Sequence, residues 1–245
     1  IRSPVLSLTV FATRIPLTVS AVERVDELIT EISTRHIEDL YIGHEIYIKS
    51  ASSIVGTDEM PLPAVGDQES LPTVLGGFFH SLSNLEHHAT FIEGRAPVPG
   101  VEGTAKSPIV EAVISEQVAR ESKLGEGDSV VVVPDVFVPT RITAKIVGVF
   151  QADDLTDEYW STAAIILTSQ SAQAQGGEEG GFPPPDGVVW EEQQDLAIGL
   201  FVSGEVLTEV VGSANPGTLT NPIVFGTIDK DRLAEWTASR FVERL

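Results

Sequence analysis

The chain has 245 residues, 42% of them hydrophobic, and its 36 acidic and 15 basic residues give a formal net charge of −21. This apolar content supports a folded core, and the length allows one large domain or two small ones. The negative charge opposes binding to nucleic-acid phosphates and anionic lipids, and favours a cationic or neutral partner. Because the chain has no cysteine, disulfides, thiolate zinc sites and thiol nucleophiles are excluded.

The first part of the chain predicts a strand, a helix and a second strand. Residues 5–15 alternate apolar and polar side chains, and residues 41–49 read as another strand. Between them, Ser20 and Glu23 have the spacing of a capping box, which predicts a helix from Ala21. One helix face carries an apolar stripe, which consists of Val22, Val25, Leu28, Ile29 and Ile32. Together these elements predict a βαβ-like unit.

Residues 109–150 give the most consistent local signals in the chain. A β-rich run leads to Ser115, which can cap a short helix, and we expect Gly125 to supply the left-handed residue that ends it. A turn at Gly127 then precedes a run of valines and a further strand. In that last strand alternate side chains face opposite ways, with Ile142, Ala144 and Ile146 on one face and Arg141, Thr143 and Lys145 on the other.

The remaining segments alternate loops with short elements. Residues 56–72 read as an irregular loop, and residues 169–187 are a low-complexity stretch expected to form a surface loop. Short strands are predicted at residues 163–168 and 223–228. A final helix is predicted to begin after Asp229.

Two motifs within residues 91–150 resemble those of a known protein family. Residues 91–95 read Phe-x-Glu-Gly-Arg, and residues 109–150 follow in the order strand, short helix closed by Leu-Gly, Gly-Asp turn, valine strand and a strand ending Val-Gly-Val-Phe. This order resembles the extracytoplasmic core domain of MacB/FtsX-type ABC transporter permeases. The similarity covers residues 91–150, well under half of the chain.

Composition and pattern predict an α+β chain, and the resemblance implies that its fold has two lobes. One lobe of βαβ-like units would comprise residues 1–75 and 156–245, and an inserted strand-rich lobe would comprise residues 76–155. The domain would be non-catalytic, without a cofactor, and would lie on the extracytoplasmic side of the cell membrane. It would work with a separate cytoplasmic ATPase subunit and an external cargo or partner protein, and the full transporter could be a dimer.

No apolar run in the chain approaches the roughly 20 residues that cross a bilayer. The chain begins at Ile1 and shows no signal peptide. We therefore expect it to be part of a longer protein whose membrane helices flank it.

The sequence offers no catalytic or metal motif. His87 and His88 lie beside Glu86, but adjacent histidines point apart and no His-Glu-x-x-His spacing occurs. The acidic run at residues 153–158 lacks the alternate spacing of a calcium loop. There is no nucleophile elbow and no phosphate loop. We therefore name no catalytic, cofactor-binding or metal residue, although paired carboxylates for glycoside cleavage stay open.

The connector after the central strand is the candidate contact surface for a partner. It joins acidic side chains to aromatic ones, namely Asp153, Asp154, Tyr159 and Trp160. The two rings are expected to pack back onto the sheet, and a half-exposed Trp160 would anchor a partner. The alternatives to a transporter domain are a free-standing secreted binding module for a cationic or carbohydrate ligand and, third, a hydrolase.

Overall fold

The computed structural model describes residues 6–11, 14–37, 40–51, 53–56, 75–134, 140–155, 157–161, 197–214, 217–229 and 232. Several predictions fall outside these ranges: nearly all of the loop at residues 56–72, the strand at residues 163–168, the low-complexity stretch at residues 169–187 and the body of the final helix.

Eleven of the described strands form one mixed sheet. They are β1 (Leu6–Phe11), β3 (Tyr41–Lys49), β4 (Ser53–Gly56), β5 (Leu75–Leu82), β6 (Ala89–Gly94), β7 (Val101–Thr104), β8 (Ser107–Ser115), β9 (Ser129–Val133), β10 (Ile142–Ala152), β11 (Ala197–Phe201) and β13 (Ile223–Ile228). The two short strands β2 (Ile15–Pro16) and β12 (Leu219–Thr220) pair separately.

The described helices are few and mostly short. They are α1 (Val19–Ile37), α2 (Glu116–Ser122), α3 (Glu158–Ser161), α4 (Gly204–Val206) and α5 (Gly212–Ala214), with a 3-10 turn at Leu85–His87 and a π-helical turn at Leu207–Val211. Together with the sheet, they confirm the predicted α+β class.

The two ends of the described chain meet in the sheet. Strand β13 lies between β1 and β3 and runs antiparallel to both, so β1 and β3 are parallel to each other. Helix α1 connects these two parallel strands. The predicted strand–helix–strand unit is therefore present, but a strand from the other end of the chain separates its two strands.

Helix α1 begins earlier and packs differently than predicted. It starts at Val19, and its capping side chain is Thr18, whose Oγ1 accepts from the backbone N–H of Ala21 at 3.3 Å. Leu28 and Ile32 are 38% and 52% exposed, so the predicted apolar stripe is only partly buried. The reason is the rotation of the helix, which turns polar side chains rather than the whole apolar stripe toward β3.

Two polar contacts between α1 and β3 accompany this orientation. The Asp26 carboxylate of α1 lies 2.6 Å from Nε2 of His44, and Ser33 of α1 is hydrogen-bonded to Tyr41. The hydroxyl of Tyr41 also contacts Nδ1 of His44. These contacts hold the helix in an orientation that a hydrophobic pattern does not encode.

Six strands of the large sheet close into a ring. The order β5–β11–β8–β10–β9–β4 is continuous, and β4 pairs again with β5. Gly77 permits this closure, because a Cβ atom there would lie 2.3 Å from Cγ2 of Val55 on the neighbouring strand. The ring also takes in β4 and β11, which lie outside residues 76–155. The lobe boundaries given by the resemblance stay a prediction.

The sheet separates two hydrophobic cores. The ring interior contains Ile142, Ala144 and Ile146 of β10, all fully buried, which confirms the predicted alternation in this strand. Val147 and Phe150 belong instead to a second core, together with aromatic side chains from β3, β11 and α3. The second core is the one that positions the candidate site.

The central stretch forms as predicted except at one end of its helix. The Ser115 hydroxyl caps α2 by accepting from the Val118 N–H at 3.2 Å. However, Lys123 takes the left-handed conformation with φ 58°, whereas we expected Gly125 to do so. The Gly125 N–H is held by the Asp128 carboxylate at 2.8 Å, so this glycine serves the following turn. The turn at Gly127, with φ 96°, is confirmed.

Candidate functional site

The four predicted contact residues do not share one environment. Asp153 and Asp154 are exposed, whereas Tyr159 and Trp160 are 4% and 0% exposed. The prediction that both rings pack back onto the sheet is confirmed. The idea of a half-exposed Trp160 is wrong, and of the four predicted contact residues only the two aspartates are exposed.

Both aromatic side chains are buried because their polar ends find partners inside the fold. The Tyr159 hydroxyl donates to the Ser83 carbonyl at 2.9 Å, and the Trp160 indole N–H donates to the His88 carbonyl at 3.3 Å. Trp160 also stacks on Phe150 with 6.1 Å between ring centroids. Burial without these partners would leave two unsatisfied donors. The turn around residues 83–88 therefore supplies the acceptors with which the aromatic pair is buried.

His88 connects this aromatic pair to two carboxylates. Its Nε2 lies 3.1 Å from the Glu45 carboxylate, and its Nδ1 lies 3.3 Å from the Asp157 carboxylate. The imidazole stacks on the Tyr159 ring at 3.8 Å between centroids. An imidazolium can donate to both carboxylates at once, whereas a neutral ring can donate to only one of them. We call His88, Glu45 and Asp157 the His88 cluster.

The His88 cluster also acts on the neighbouring tyrosine. Burial raises the pKa of Tyr159, and the negative charges of Glu45, Glu86 and Asp157 raise it further. Tyr159 therefore stays a neutral hydrogen-bond donor at ordinary pH. No local spacing in the sequence indicates this cluster, because Glu45 and Asp157 lie 43 and 69 residues from His88.

The described part of the chain contains no group of three or more His, Asp or Glu side chains that could hold a metal ion. In the His88 cluster the ring nitrogens and the carboxylates contact each other, so a cation would have to replace these contacts in order to bind. Of the other described histidines, His44 contacts Asp26 and His80 is buried near Tyr47, while His36 and His87 are exposed.

The Phe-x-Glu-Gly-Arg motif forms a second polar arrangement on the surface. Both terminal nitrogens of Arg95 donate to the Glu111 carboxylate at 2.6 Å, and the Val98 N–H donates to the same group at 3.1 Å. The hydrogen bonds from Arg95 lower the pKa of Glu111. The ion pair connects the segment after β6 to β8, which gives the motif a structural role.

The glycine of this motif lies against the central strand. Gly94 has φ 63° and pairs with Gly148 of β10. The next residue, Arg95, donates its backbone N–H to the Val147 carbonyl at 3.0 Å. The two glycines permit a close approach of β6 and β10 that a Cβ atom on either strand would prevent.

A cleft of about 620 Å³ lies between the start of α1 and the π-helical turn. Its lining is mostly apolar and hydroxyl-bearing, and it consists of Pro16, Leu17, Thr18, Val19, Thr208, Glu209, Gly212, Ser213, Gly217 and Thr218. Among the described residues of this lining, Glu209 is the one with an ionisable side chain. The volume suits a small molecule or a single side chain.

No family model matches the chain, and a search of curated proteins likewise found no match. Among the described helices, none combines the length and the apolar character that crossing a membrane requires.

Proposed function

We propose that the chain is a non-catalytic extracytoplasmic domain of an ABC transporter permease subunit of the MacB/FtsX type. It would couple ATP-driven movement of membrane helices to an external cargo or partner protein. The order of elements in residues 91–150 supports this proposal, as does the role of Arg95 and Gly94, because both motif residues connect β6 to the strands of the ring.

The observation that carries the proposal is the pairing of β1 with β13, the first and last strands that the structure describes. Leu6 of β1 lies opposite Ile228 of β13 in antiparallel register. A domain inserted between two membrane helices requires an entry and an exit that lie close together, and this pairing provides them.

The sheet also gives a path for transmitting movement. Strand β13 pairs with β3, β3 pairs with β5, and β5 belongs to the closed ring. A displacement of the chain ends would therefore reach the ring through consecutive ladders of backbone hydrogen bonds. Packed sheets of this kind resist deformation and move as units, which suits a mechanical role that needs no chemistry from this chain.

The acidity and the cleft favour the second candidate function, a secreted binding module for a cationic or carbohydrate ligand. The net charge of −21 would steer cations toward the surface, and Glu209 places a carboxylate in the cleft. This candidate requires no membrane attachment, so localisation distinguishes it from the transporter domain.

Cysteine labelling of the full-length protein in intact cells tests the proposal. The chain has no cysteine of its own, so Glu102→Cys on the exposed strand β7 supplies a single reactive thiol within it. A membrane-impermeant maleimide should label this variant before lysis, and the labelled protein should sediment with membranes. Val130→Cys, at a position 0% exposed, is the matched control and should not react in the folded protein.

Two other outcomes have distinct meanings. Labelled protein that is released from cells without membranes supports the binding module. Labelling that requires lysis contradicts both proposals, because both place the chain outside the cytoplasm.

A further inference from the structure

His80 occupies the junction between the strands of the chain ends and the ring. It pairs with Lys49 of β3 on one side and with Phe201 of β11 on the other. Nearer its start, β5 pairs with β4 instead of β3. The His80 carbonyl also accepts from the Val202 N–H at 2.9 Å. His80 therefore lies where the β1–β13–β3 group joins the ring.

The imidazole of His80 is enclosed by aromatic side chains. It is 2% exposed, and its centroid lies 5.1 Å from that of Phe201 and 6.0 Å from that of Tyr47. The Tyr47 hydroxyl lies 3.0 Å from Nδ1. Burial raises the pKa of Tyr47, so this hydroxyl stays protonated and can donate to the neutral ring.

The charge that faces this ring is positive. Among the described residues, the titratable groups that act on or contact His80 are Lys49 and Tyr47, both from β3. The rings from β5 and β11, Phe78 and Phe201, do not titrate. Burial, and then the charge of Lys49, hold the pKa of His80 well below its ordinary value. The closed junction therefore excludes a proton that an exposed imidazole would bind.

We propose that His80 makes this junction sensitive to acid. Protonation of His80 in mild acid favours an open state in which β3 separates from β5. In that state β1 and β13 move with β3, and the ring stays folded. The connection between the chain ends and the ring then depends on pH.

The sign and size of the effect follow from proton linkage. The open form binds a proton at the ordinary histidine pKa of about 6.5, and the closed form does so only at lower pH. Above pH 6.5 the opening equilibrium does not change with pH. Below pH 6.5, the equilibrium constant for opening rises by up to about tenfold for each pH unit until the closed form is protonated as well.

Hydrogen exchange of the full chain at pH 7.5 and pH 5.5, with labelling times adjusted for the intrinsic exchange rate, tests the proposal. Amides that hydrogen-bond across the β3–β5 pairing should lose protection by about tenfold at pH 5.5, whereas amides of β3 that bond to β13 should keep theirs. Amides of β8 and β10 should keep theirs. His80→Gln retains a hydrogen-bond acceptor for Tyr47 but cannot be protonated, and it should remove the pH effect.

His36→Gln is the matched control, because His36 is exposed on α1, and it should keep the pH effect. If His80→Gln does not fold, His80→Phe takes its place, since it retains an aromatic ring beside Phe201. The proposal is overturned if the amides across the β3–β5 pairing keep their protection at pH 5.5, if all strands lose it equally, or if the His80 variant shows the same loss as the wild type.

Discussion

Replacing Gly94 with alanine should weaken the contact between β6 and β10. The residue has φ 63°, and a Cβ atom there would lie 2.0 Å from the Val147 carbonyl oxygen, 2.8 Å from the carbonyl carbon and 2.9 Å from Cα of Gly148. All three neighbours are main-chain atoms, so no side-chain rotamer can relieve the overlap. The two strands must move apart.

The cost of this substitution has three sources. A left-handed conformation costs a non-glycine residue about 1–2 kcal/mol, and relief of an overlap in a packed region costs about 1–3 kcal/mol. The hydrogen bond from the Arg95 N–H to the Val147 carbonyl, 3.0 Å long, is worth about 1 kcal/mol. We expect Gly94→Ala to lower the free energy of unfolding by about 3–6 kcal/mol.

Gly127 is the matched control for this substitution. It also has a positive φ, 96°, but nothing lies within 4 Å of the position of its Cβ atom. Gly127→Ala should therefore show only the conformational cost, about 1–2 kcal/mol. Urea denaturation followed by tryptophan fluorescence measures both variants. Equal costs for Gly94→Ala and Gly127→Ala would refute the argument that close approach of the strands requires Gly94.

Three further predictions concern the polar and aromatic contacts of the second core and of the surface. Arg95 lowers the pKa of Glu111, so Glu111→Gln should be less stable than the wild type above pH 4.5. The difference in stability should shrink as pH falls through the lowered pKa. A difference that does not vary with pH in urea denaturation contradicts this prediction. Trp160→Ala should cost about 3–5 kcal/mol because Trp160 is 0% exposed, and a cost near zero in thermal unfolding would mean that the ring does not belong to the core. A double-mutant cycle of His88→Ala and Asp157→Ala should give a coupling energy of about 0.5–3 kcal/mol, since the two side chains lie 3.3 Å apart, and additive effects would exclude their interaction.

The sequence predicted the elements whose signals are local. The cap at Ser115, the turn at Gly127 and the alternation of Ile142, Ala144 and Ile146 all depend on residues within a few positions of each other, and the structure has all three. Even local signals failed where two adjacent candidates compete. Thr18 caps α1 instead of Ser20, because backbone geometry decides which hydroxyl reaches the free N–H groups.

The candidate site was predictable only in part. The exposure of Asp153 and Asp154 agrees with their charge. The burial of Trp160 depends on the His88 carbonyl, 72 residues earlier in the chain. The His88 cluster brings together side chains from three distant segments, so no motif or spacing could have indicated it.

The sequence by itself determined the α+β class, the acidic surface and the short-range caps and turns, because composition and periodicity act over one element at a time. Only the tertiary structure decided which strands are neighbours. The closure of the ring between β4 and β5, the insertion of β13 between β1 and β3, and the position of His80 where these two parts of the sheet join all rest on pairings between distant residues. Such pairings depend on how the surfaces of distant elements pack together, and no local sequence pattern contains that information.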